Sequence, residues 1–196
     1  MKRLSKRLFS VIIVFFLFHS AFSQDKNVGS NNFSYDQVGR KVSWIKVFEP
    51  TLSFDIETLK MYFTENNVLE IIEGDSLTLR GMLIPKPIDI QKYGHKRMNT
   101  PIFLLDVEQK FNVLVQVKDG KYRVKLSEMG YIDNGVVSEL AQGVNTKGNF
   151  VSYDGEFSFT NKNEIRTRNH MGFEILDKFY SDILLIKESK KPDSDW

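Results

Sequence analysis

The feature that most restricts the fold of this chain is the Asp119-Gly120 pair, set between two alternating segments. Asp-Gly suits a two-residue type I′ turn, in which both central residues need a positive φ. With the turn there, Lys118 faces Lys121, Val117 faces Tyr122, Gln116 faces Arg123, Val115 faces Val124 and Val113 faces Leu126. Val113, Val115, Val117, Tyr122, Val124 and Leu126 then share one side. Gln116, Lys118, Lys121, Arg123 and Lys125 share the other. A slip by one residue would turn the apolar set to water, so the register is strongly specified. An antiparallel ribbon with one buried face and one wet, basic face is required.

Other elements arrange themselves around this ribbon. Trp44, Ile45, Val47 and Phe48 mark a strand over Lys41–Phe48, ended by Pro50. A helix is predicted over Ser53–Asn66, capped by Ser53, with Asp55 and Glu57 in its positive first turn. Leu52, Ile56, Leu59 and Phe63 form its apolar stripe. Two strands follow, Val68–Glu73 and Ser76–Ile84, joined at Gly74-Asp75. Pro85 and Pro87 stop the second, and residues 85–100 read as a long polar loop. Residues 134–149 carry Gly and Asn, with a short helix at Val136–Gln142. Phe150–Thr160 reads as a strand or a small hairpin at Asp154-Gly155. A second helix, His170–Lys187, has Phe173, Leu176, Tyr180, Ile183 and Leu184 on its apolar face. The order predicts an α+β, two-layer fold: an antiparallel sheet with two helices on one face and the other face open.

Residues 1–23 read as a cleavable secretory signal peptide. Lys2, Arg3, Lys6 and Arg7 form a positive start, and Leu8–Phe18 is apolar except for Ser10. Ala21-Phe22-Ser23 places small residues before a cleavage point at Gln24. The apolar run is well short of the roughly 20 residues that a spanning helix needs. Residues 24–40 read as a flexible lead-in, 41–187 as a single domain and 188–196 as a flexible tail. Four of the 27 basic residues and none of the 25 acidic ones lie before Gln24. The remainder therefore carries 23 basic against 25 acidic residues, a formal charge of −2. That balance gives no global electrostatic case for nucleic acid. The chain has no Cys. An exported chain without disulfides reads as bacterial, periplasmic or extracellular, with no lipid-modified cysteine as an anchor. Thiol catalysis, iron–sulfur clusters and cysteine zinc sites are excluded.

The segment Lys41-Val-Ser-Trp-Ile-Lys-Val-Phe-Glu49, the capped helix and the hairpin Lys118-Asp-Gly-Lys-Tyr-Arg-Val-Lys125 together resemble a family of exported bacterial proteins of unassigned function. The resemblance covers about residues 38–187, with 85–100 and 134–149 as departures. It implies a TATA-box-binding-protein-like (TBP-like) fold, a curved antiparallel sheet with helices on its convex side. It brings no catalytic residues with it. The fold name does not import DNA binding, because function resides in the site.

Motifs for chemistry are scarce. His95 and His170 lie far apart, and no His-x-x-x-His pair is present. Neither a Gly-x-Ser-x-Gly elbow nor a phosphate-binding or dinucleotide-binding Gly loop occurs. Asp133-Asn134-Gly135 lacks the alternating ligands and terminal Glu of a calcium loop. Glu70 and Glu73 are ordinary strand carboxylates. No cofactor or metal is expected. Two regions are candidate binding surfaces. One is the open sheet face with Arg123 and Lys125, and with Trp44 if its strand turns Ile45 and Val47 to the helices. The other is the 85–100 loop, with Tyr93, Arg97, His95 and Lys96. An aromatic beside basic groups can hold an anionic or sugar ligand, or a peptide. Three readings follow: a non-catalytic binding or interaction module, a cell-envelope hydrolase of unrecognised type, or a structural or assembly component of the envelope.

Overall fold

A computed structural model of the protein describes residues 32–36, 38–51, 53–135, 147–153, 158–162 and 164–187. The ribbon forms as its turn chemistry requires. Strand β6 (Val107–Lys118) and strand β7 (Lys121–Asp133) pair antiparallel, with Val117 opposite Tyr122 and Val113 opposite Leu126. Asp119 and Gly120 both have positive φ, 51° and 71°. Below the hairpin the register breaks once, between Lys110 and Asn112. Phe111 there faces two residues, Glu128 and Met129, and Glu128 takes a left-handed φ of 50°.

Around the ribbon lie β1 (Phe33–Asp36), β2 (Lys41–Phe48), β3 (Leu69–Gly74), β4 (Thr78–Leu83), the two-residue β5 (Lys86–Pro87) and β8 (Phe150–Ser152). The curved, antiparallel sheet runs β1-β2-β7-β6-β4-β3, with β5 beside β6 and β8 beside β7. Helices α1 (Ile56–Glu65) and α2 (His170–Leu184) pack on one face of it. Their buried stripes, Ile56, Leu59 and Phe63 on α1 and Phe173, Leu176, Tyr180 and Leu184 on α2, meet Trp44, Leu79, Val115, Tyr122, Val124 and Leu126 of the sheet. The architecture is α+β, with the two helices on one side.

Several boundaries move for physical reasons. The cap of α1 is Asp55, not Ser53: its carboxylate accepts from both the Thr58 N–H at 2.8 Å and the Thr58 hydroxyl at 2.6 Å. These two bonds hold its pKa below the usual carboxylate value. Helix α2 ends at Leu184, short of Lys187. The buried Tyr122 hydroxyl donates to the Leu184 carbonyl at 2.8 Å and accepts from the Ile186 N–H at 2.9 Å, which draws the chain off the helix.

Part of the expected lead-in, 24–40, is not a free segment. Phe33–Asp36 form β1 on the edge of β2, and Phe33 is fully buried edge-on against Phe173, with centroids 4.7 Å apart. Burying that one ring gives a short polar stretch a reason to order. The 85–100 loop is likewise anchored. It carries β5 and short 3₁₀ turns at Gln91–Tyr93 and Arg97–Asn99, with Ile88 and Thr100 buried. The expected signal segment, the expected helix at Val136–Gln142, the expected Asp154-Gly155 turn and the expected 188–196 tail lie outside the described residues.

Candidate binding face

Among the described residues no helix covers the second face of the sheet. Strand alternation and the ladder registers place its side chains in rows. One row reads Val47, Arg123, Gln116, Thr78; the next reads Ile45, Lys125, Leu114, Arg80. Aliphatic and cationic groups therefore interleave across four strands. Near the hairpin end the face hollows into an open groove of about 670 Å³, lined by Val47, Leu77, Gln116, Lys118, Asp119 and Arg123 among others. Val47 and Leu77 are 51% and 59% exposed, unusual for aliphatic strand and turn residues, and they form its apolar part.

The charges of this face are unevenly neutralised. Arg80 pairs with Glu73 at 3.0 Å, at the β3 edge, and Lys121 pairs with Glu49 at 2.7 Å. Arg123 instead donates from Nε and Nη2 to the neutral Gln116 Oε1, at 3.2 and 2.5 Å. That fixes the guanidinium plane without cancelling its charge and leaves its other N–H groups for a ligand. Neither Lys118 nor Lys125 has an ion-pair partner among the described residues.

The residues singled out in the sequence do not come together. Arg123 and Lys125 occupy the open face, as the hairpin register requires. Trp44 does not. It is fully buried on the helix side, paired with Leu126, and its indole Nε1 donates to Asp177 Oδ1 of α2 at 2.7 Å. Asn32 Nδ2 donates to the same oxygen at 2.8 Å. Ile45 and Val47 are the residues that β2 turns outward. Tyr93 belongs to the helix layer: its ring packs edge-on to Phe179, and its hydroxyl donates to Asp182 Oδ2 at 3.4 Å. Burial first, and then the Asp182 charge, push its pKa up to about 12. Lys92 and Lys187 also reach Asp182, so this cluster clips the 85–100 segment to α2. Arg97 is exposed and spent on an ion pair with Asp106. Sequence reading placed Gln116 on the wet side of the hairpin but missed Val47 and Leu77 as parts of the face. The hairpin register set Gln116 across from Arg123, as observed; Leu77, in the β3–β4 turn, gave no signal.

Other chemistry-bearing groups are dispersed. His170 Nε2 sits 2.9 Å from the Ile165 carbonyl oxygen, and among the described residues neither histidine has a carboxylate within hydrogen-bonding distance. No group of three or more His, Asp or Glu side chains among them could hold a metal ion.

The structure is similar to two solved structures. One is a DUF4468 family protein from Bacteroides ovatus, at 13% identity and a TM-score of 0.40, covering 81% of this chain and 94% of that one. The other is a TBP-like protein from Parabacteroides distasonis, at 13% identity and a TM-score of 0.39, covering 73% and 90%. No family model matches the sequence. No curated protein matches it either.

Proposed function

We propose that this protein is an exported, non-catalytic binding module that receives its partner on the open face of the sheet. The observation that carries the reading is the juxtaposition of Arg123 and Lys118, without ion-pair partners among the described residues, with the exposed aliphatic wall of Val47 and Leu77, and with Lys125 next to Arg123 along the same face. Solvent-facing cations beside a contiguous apolar surface are what a recognition surface needs, one for orientation and the other for affinity. Export is supported by the basic start, the short apolar run and the Ala21-Phe22-Ser23 site. No helix among the described residues is long and apolar enough to cross a membrane. The scattered histidines support a binding role over a hydrolytic one.

Site-specific photo-crosslinking in the producing cell tests the location. A crosslinker at Gln116 should capture a partner, and one at Lys60, on the exposed side of α1, should not. Capture from Lys60 alone, or equal capture from both, removes the reading. Mass spectrometry of the exported protein should find an N-terminus at or near Gln24. A full-length chain held in the membrane fraction would refute export.

A further inference from the structure

Resting on that reading, we infer that the occupant of the open face is an extended, acidic protein segment with carboxylates at alternate positions and an aliphatic side chain on the same face as them. Lys121, Arg123 and Lys125 are successive same-face residues of β7. Same-face neighbours on a strand recur at about 7 Å, twice the rise per residue. An extended segment lying along β7 repeats its own side chains at that interval, so alternate carboxylates meet successive cations in register.

Charge complementarity points the same way. Of the cations at this end of the face, Lys121 has a carboxylate partner in Glu49. Arg123 is held by an amide, and Lys118 and Lys125 are unpaired among the described residues. Asp119 lines the groove as its one carboxylate, against Lys118, Lys121 and Arg123. The rest of the sequence from Gln24 on is slightly acidic, so this patch is a local reversal of sign. The groove adds the second requirement. Its apolar wall is aliphatic, Val47, Leu77 and Val117, and among the described residues no aromatic ring lines it. Base stacking and sugar stacking both need such rings. An aliphatic side chain of a peptide needs only the wall.

The test uses the protein as the producing cell delivers it, titrated by NMR with the synthetic peptide Glu-Ser-Glu-Ser-Leu, whose two carboxylates and leucine share one face when extended. Saturable shifts should centre on Gln116, Arg123 and Lys125. Affinity should fall about tenfold, the order expected for losing charged contacts at an interface, in the Arg123→Gln/Lys125→Gln double variant. It should also fall with rising ionic strength. The isomeric peptide Glu-Glu-Ser-Ser-Leu, which has the same charge but puts its two carboxylates on opposite faces, should bind several-fold more weakly. Equal binding of the two isomers overturns the register argument. Tighter binding of an oligothymidylate or of a sulfated oligosaccharide at the same residues overturns the assignment to a protein segment. No peptide binding, with crosslinks from Gln116 persisting in the cell, overturns this inference and leaves the binding face standing. Loss of those crosslinks removes the face itself.

Discussion

The covered and open faces of β2, β7 and β6 are built from the same three segments, one residue apart, yet they do opposite work. On the covered face Trp44, Phe48, Tyr122, Val124 and Leu126 lie almost fully buried among aromatic rings. Trp44 meets Tyr180 edge-on at 5.7 Å, and Phe48 stacks on Tyr122 at 4.9 Å. Among the described residues, Gln109 Nε2 and Ser158 Oγ are the buried side-chain atoms without a partner. On the open face the aliphatic groups stay partly wet, and three cations lack carboxylate partners among the described residues. Packing explains the first face completely. Nothing about folding asks for the second to be so cationic at one end, which is why it is read as a surface for something else.

Substitutions at adjacent positions separate the faces. Trp44→Ala should cost roughly 3–5 kcal/mol in chemical denaturation, whereas Ile45→Ala should cost about 1 kcal/mol or less. Comparable losses at both would mean that the open face is buried by something unseen. Asp177→Ala should cost about 1–3 kcal/mol, because it leaves the buried Trp44 indole N–H without its acceptor. Asp177→Asn keeps an acceptor and should recover part of that loss. If the two variants unfold alike, the hydrogen bond is not what secures β1 and β2 to α2.

Gly120→Val should cost about 1–2 kcal/mol from backbone strain alone, since Gly120 has a φ of 71° and open space around it. Wild-type stability there would break the link between the hairpin turn and the register of both faces. The smallest effect belongs to the open face itself. Arg123→Gln and Lys125→Gln should each change stability by no more than about 0.5 kcal/mol. A large loss in either would make these residues structural and blunt the contrast.

Where sequence reading succeeded and failed follows from how local each signal is. The β6–β7 register was legible because the turn and the alternation agree over a dozen adjacent residues. The face of Trp44 was not. In β2 both rows carry apolar groups: Val42, Trp44 and Phe48 on one, Ile45 and Val47 on the other. Lys46 interrupts the row that is buried, and a lysine argues for the surface. It stays on the covered side by extending its ammonium to Ser181 Oγ at 2.6 Å, 5.7 Å from the Phe48 ring centroid. No local pattern announces such a reach. Strand β1 is four residues long and has meaning only against Trp44 and Phe173, which are distant in sequence. The 85–100 segment is held by single buried groups, Ile88 and Thr100, too sparse to show a period. The binding face was half legible: its cations follow from the hairpin, and its aliphatic wall needs β2 and the β3–β4 turn brought alongside.

The carboxylate of Asp177, which receives both Asn32 and Trp44, has a temporal consequence. Its partners precede it by 145 and 133 residues. The β1–β2 edge therefore lacks these two ties until α2 has been synthesised and packed against it. Contacts of such long sequence separation close slowly. Until then the Trp44 indole and the Asn32 amide wait for the one oxygen that serves them both.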